Sequence, residues 1–141
     1  MSRCRIVCYG DSITQYGHNS SGWLGIIQSK YCRSLDIINR GFSGYNTKWL
    51  LEHFDEVKVD FENAEIVFIL MGANDAADAE PFVPLWSFKE NMTELGNKIM
   101  ELAKKVVLIG TPWVNGELAI GHSAELAEKY SEIGELITDC H

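Results

Sequence analysis

Four short apolar runs of β type, each followed by a segment of helical pattern, constrain this chain more than any other feature. The runs cover residues 4–9, 35–39, 66–71 and 106–110. Three of them are continuous rather than alternating, which is how strands covered on both faces read. Helical patterns lie between them. One covers residues 20–32. A second, over 47–57, puts Leu50, Leu51 and Phe54 near one face. The clearest carries Phe88, Met92, Leu95, Ile99 and Leu102 at spacings of 4, 3, 4 and 3. A last one carries Leu126, Tyr130, Ile133 and Ile137, with Glu125, Glu128, Glu132 and Glu135 largely on the other side. The order β-α-β-α-β-α-β-α predicts a parallel sheet with right-handed crossovers. The 141 residues, without repeats or linkers, fit one domain over 1–141.

In such sheets ligands bind outside the carboxyl ends of the strands, so the loops after the strands carry the functional question. After the first strand comes GDSIT. Its glycine allows a sharp turn, and Ser12 would then sit at a helix start among unpaired N–H groups. That setting suits a serine that must expose its oxygen. The plainer alternative is that Asp11 or Ser12 only caps the helix. After the second strand comes NRGFSGYNT, either a glycine-rich turn or a backbone N–H at Gly44 turned to a ligand. After the third comes GAND, where Asn74 is either an amide donor at a strand end or a turn asparagine capping its own backbone. The fourth is followed by TPWVNGELAIGHS, which contains His122. Together these loops would set a serine, a glycine N–H and an asparagine amide on one sheet edge, the parts of a nucleophile and an oxyanion hole.

These three blocks, in this order and each after a strand, resemble those of the GDSL esterases, also called SGNH hydrolases. SSGWLG, RGFSGYNTKW and LIGTPWV are similar to the branch of isoamyl acetate-hydrolysing esterases. The resemblance implies an α/β three-layer sandwich of flavodoxin-like SGNH-hydrolase type, with strand order 2-1-3-4. It implies Ser12 as catalytic nucleophile. The Ser12 N–H, the Gly44 N–H and the Asn74 amide would form the oxyanion hole, and Asp11 would shape the turn. The implied substrate is a small, short-acyl ester.

That family supplies its histidine and aspartate from a late D-x-x-H block after a fifth strand. Here the sequence reads ELITDCH, with Asp139 and His141 two apart. The preceding helical segment, about fifteen residues at ~1.5 Å each, would return the chain roughly 22 Å to the opposite sheet edge. The expectation is a chain that resembles such an esterase truncated before its fifth strand, with activity impaired. His122 and His18 follow strands and are the candidate substitute bases, each more readily read as a surface loop histidine. His53 reads as a helix surface or groove residue. The alternative function is a non-catalytic relative that binds a partner or ester-like ligand, or an inactive truncated product.

A net charge of −8 argues against nucleic acid and anionic membranes as partners. The N-terminal apolar run is too short for a signal peptide or a membrane span, which makes a cytoplasmic location the expectation. Cys4, Cys8, Cys32 and Cys140 form no CxxC pair and read as free thiols, with no metal site and no cofactor. Cys4 and Cys8 share strand parity and are expected in the core. A fourth strand at the sheet edge would expose unpaired backbone groups, which invites a homo-oligomer through VVLIG.

Overall fold

The computed structural model describes residues 3–112. Within them, four strands β1 (Cys4–Gly10), β2 (Leu35–Gly41), β3 (Ile66–Leu70) and β4 (Val106–Ile109) form one parallel sheet in the order β2-β1-β3-β4. This is the expected order. Gly10, at the end of β1, pairs with Gly41 on one side and Leu70 on the other. Three strands therefore end level with one another, and their loops leave from one edge.

The side-chain alternation of β1 divides the core. Val7 and Tyr9 point to one face, with Val67 and Ile69 of β3. Ile6 and Cys8 point to the other, against Leu24 and the half-buried Trp23, Ile37 and Phe68. The first face is covered by α3 (Thr47–Glu52), α4 (Phe54–Val57) and α5 (Leu85–Met100), and the second by α2 (Trp23–Lys30). Helices on both faces give the three layers that continuous apolar strands require.

In α5, Phe88, Met92, Leu95 and Ile99 are buried, as their spacing predicts. Leu95 is fully buried, and its truncation to alanine would cost about 3 kcal/mol. Phe61 packs against both Tyr9 and Phe54, at ring-centroid separations of 5.1 and 5.7 Å. The Tyr9 hydroxyl is not wasted in this apolar setting, since it donates to the Leu50 carbonyl at 2.8 Å.

Four local expectations need correction. The segment 47–57 is two short helices broken at His53, which caps α3 rather than lying within a helix. Its ring nitrogen Nδ1 lies 2.9 Å from a Glu56 carboxylate oxygen. The segment 20–32 is helical only over α2; the helix expected to start at Ser12 is the short α1 (Ser12–Gln15), and a 3₁₀ turn (Tyr16–His18) follows it. Leu102 follows the end of α5. Cys4 is exposed while Cys8 is buried: parity puts them on one face, but Cys4 opens the strand where little packs over it. Cys32 is a free, exposed thiol. The expected helix over 126–137, with Cys140, lies outside the described residues.

Candidate functional site

Asp11 is the N-cap of α1, and its Oδ1 accepts the Ile13 N–H at 2.9 Å. The capping is therefore done by Asp11, and Ser12 stands at the first helical position. Among the described residues, the Ser12 hydroxyl has no hydrogen-bond partner, and the residue is half-buried. Thr14, two residues on, is fully buried.

The loop after β2 is built around the end of α1. The Phe42 N–H donates to the Gly10 carbonyl at 2.7 Å, and the Ser43 N–H donates to Gln15 Oε1 at 2.7 Å. Asn39 adds a second tie, donating to the Thr14 carbonyl at 2.8 Å while its Oδ1 accepts the Gly41 N–H. Gly41 must be glycine here because a Cβ would overlap the backbone nitrogen of Gln15. Gly44 has φ +84°, a left-handed conformation, and is exposed. Among the described residues no backbone hydrogen bond engages its N–H.

The loop after β3 closes on the same segment. The Asn74 side chain does not cap its own backbone. Its Nδ2 donates to the Tyr45 carbonyl at 2.8 Å. A primary amide has two N–H donors, and one is spent on this tie. Asn46 caps α3 through the Trp49 N–H and donates to the Pro81 carbonyl at 2.8 Å. Asp75 is fully buried, and its Oδ1 accepts both the Thr47 N–H (3.0 Å) and the Thr47 hydroxyl (2.5 Å). Three consecutive residues, Tyr45, Asn46 and Thr47, are thus each tied to the loop that follows β3.

Asp11 and Asp75 both have raised pKa values. Burial pushes Asp11 up to about 6, against the lowering effect of the Ile13 N–H. Burial likewise pushes Asp75 to about 6. The hydrogen bonds from Thr47 oppose the rise, and the charge of Asp11 adds to it.

Ser12, Gly44 and Asn74 therefore follow three adjacent strands whose ends are in register, on loops hydrogen-bonded to one another. His18 is exposed at the far end of the 3₁₀ turn. Three α-helical and three 3₁₀ steps carry its backbone up to about 11 Å from Ser12. His122, Asp139 and His141 lie outside the described residues. Among the described residues no three His, Cys, Asp or Glu side chains cluster to hold a metal, and no helix is long and apolar enough to cross a membrane. Sequence reasoning passed over Gln15, Asn39, Thr47 and Asp75. Asp75 carried a usable signal: an acid followed directly by Ala76 and Ala77, at the end of an apolar strand, is placed for burial and needs donors.

The three loops thus meet at the carboxyl edge of a parallel α/β sheet. A family model for the GDSL-like lipase/acylhydrolase family matches residues 8–140, and the chain belongs to that family. The isoamyl acetate-hydrolyzing esterase of Saccharomyces cerevisiae is 31% identical over 123 residues, covering 80% of this chain and 52% of that protein. The isoamyl acetate-hydrolyzing esterase 1 homolog of Rattus norvegicus is 34% identical over 117 residues, covering 77% and 47%. The chain spans about half the length of the curated relatives it matches. A lipase/acylhydrolase from Enterococcus faecalis superposes with a TM-score of 0.79 at 23% identity, covering 98% of this chain and 72% of that one. That likeness establishes the shared fold.

Proposed function

We propose that this chain carries the nucleophile half of a carboxylic ester hydrolase acting on small, short-acyl esters. Ser12 Oγ attacks the ester carbonyl. The N–H groups of Ser12 and Gly44 and the Asn74 amide receive the developing oxyanion, the alcohol departs, and water releases the acid from the acyl-serine. The observation that carries this reading is the bond from Asn74 to the Tyr45 carbonyl. It binds the loop of one proposed donor to the loop of the other and leaves an amide N–H to give. The preference for a short acyl group draws on the acetate ester in the names of the yeast and rat relatives.

The serine proton needs an acceptor. No Asp-x-x-His occurs in the 141 residues, and a serine hydroxyl without its base is a weak nucleophile at neutral pH. The proposed consequence is low turnover by this chain alone. The second reading is a non-catalytic relative that binds an ester-like ligand or partner at this edge. A cytoplasmic location is proposed with either reading, on the scattered cysteines.

The two separate in one assay with a series of p-nitrophenyl esters. The hydrolase reading expects slow hydrolysis above the spontaneous rate, fastest for acetate, and lost in Ser12→Ala. Hydrolysis equal in Ser12→Ala and the parent chain would refute it.

A further inference from the structure

Gly44 is held from both sides, but not in the same way. On one side, Ser43 is fixed to α1 by Gln15. On the other, the chain runs through Tyr45 and Asn46 into Thr47, the first residue of α3. Thr47 is fully buried and unusually well tied for a helix-starting residue. Its N–H and hydroxyl both donate to Asp75 Oδ1, and its hydroxyl oxygen accepts from Asn91 Nδ2 of α5 at 2.9 Å. One side chain thus joins three elements: α3, the loop after β3 that bears Asn74, and α5.

This arrangement does more than hold a helix end. Asp75 directly follows Asn74, and Thr47 lies three residues after Gly44. The contact therefore sets the separation between the two proposed oxyanion donors. Asn74 alone reaches only the Tyr45 carbonyl, through one hydrogen bond beside an exposed glycine of left-handed conformation. Burial strengthens the Thr47 contacts: in a low-dielectric setting, hydrogen bonds to a buried acid are stiff, and leaving one unmade is costly.

We propose that Thr47, clamped between Asp75 and Asn91, is a positioning residue that fixes the Gly44 N–H relative to the Asn74 amide and Ser12. The inference rests on the hydrolase reading of this edge. Its own content is that precision at Gly44 comes from a hydroxyl three residues away. Thr47→Val keeps the shape of the side chain and removes both hydroxyl bonds, while Thr47→Ser restores them.

The test uses the full chain, a fluorophosphonate ester as serine probe, and NMR relaxation of the Gly44 amide. In Thr47→Val the maximal rate of Ser12 phosphonylation should fall about 10- to 100-fold, with the half-saturating probe concentration unchanged. The Gly44 order parameter should drop from about 0.85 toward about 0.6. Thr47→Ser should recover both, and Asn91→Ala should shift both in the direction of Thr47→Val. If Thr47→Val does not fold, Asn91→Ala carries the test by itself. Wild-type rates and an unchanged order parameter in the folded variants would overturn the positioning role. Absence of Ser12 labelling in the parent chain would instead defeat the hydrolase reading, and the Gly44 order parameter would still decide the role of Thr47.

Discussion

Asn74 Nδ2 donates a 2.8 Å hydrogen bond to the Tyr45 carbonyl, one residue past Gly44. Through it, the loops after β2 and β3 become one unit at the edge where Ser12 starts α1. Asn74→Ala removes the tie and the proposed oxyanion donor together. Phosphonylation of Ser12 should slow by about 100-fold or more, measured as the pseudo-first-order rate of probe incorporation. A change within experimental error would remove Asn74 from the site.

The base can be tested separately. Hydrolysis of p-nitrophenyl acetate by the 141-residue chain should stay several orders of magnitude below that of an enzyme with an intact triad. His122→Ala and His18→Ala should leave that residual rate as it is. Robust turnover that vanishes in both Ser12→Ala and His122→Ala would establish His122 as a substitute base.

Asp11 and Asp75 give the fold an inverted acid response. Each has a folded pKa near 6, above the ordinary 3.8. Between those values the folded chain holds protons that the unfolded chain has released. Their contribution is most favourable below about pH 4 and is lost as pH rises through about 6. Asp11→Asn keeps a capping oxygen and removes the titration. Its stability relative to the parent chain should therefore rise between pH 4.5 and 7 by up to about 2 kcal/mol. Urea unfolding at the two pH values measures this, and an unchanged difference would show that burial does not hold the Asp11 proton.

The two glycines of the second loop should behave differently on substitution. At Gly41 a methyl group meets the Gln15 backbone, which cannot yield, and Gly41→Ala should cost about 3 kcal/mol. At Gly44 nothing lies within 4 Å of an added Cβ, so Gly44→Ala should cost only the left-handed conformation, about 1 kcal/mol. Equal losses in chemical denaturation would contradict this placement of the loop on α1.

Among the described residues β4 pairs only with β3, and Val106–Ile109 are half-buried. We propose self-association through this edge. Light scattering at micromolar concentration should give a mass above that of one chain. A monodisperse monomer with slowly exchanging Val107 and Ile109 amides would exclude it.

The sheet was legible because its apolar runs are continuous and its post-strand loops are rich in glycine, asparagine and serine. The face of α5 was legible because four buried residues follow a strict helical spacing. What escaped notice has little periodicity. The three residues of the 3₁₀ turn after α1 are too few to show one, and the break at His53 leaves the apolar positions of 47–57 unchanged. Cys4 shows the limit of parity, which fixes the face of a side chain but not whether anything covers it. Thr47 and Asp75 were hidden for another reason. Thr47 is ordinary in its own segment, the sequence around Asp75 signals burial but names no donor, and their meaning lies in a contact across 28 positions of sequence.

The account turns on Ser12, and mass spectrometry of the fluorophosphonate-treated chain tests it most directly. Peptide mapping should find a single phosphonyl group, on Ser12, formed at a rate that falls in Asn74→Ala and absent from Ser12→Ala. A phosphonyl group on another serine, or incorporation that persists in Ser12→Ala, would contradict the assignment of this edge as the reacting site.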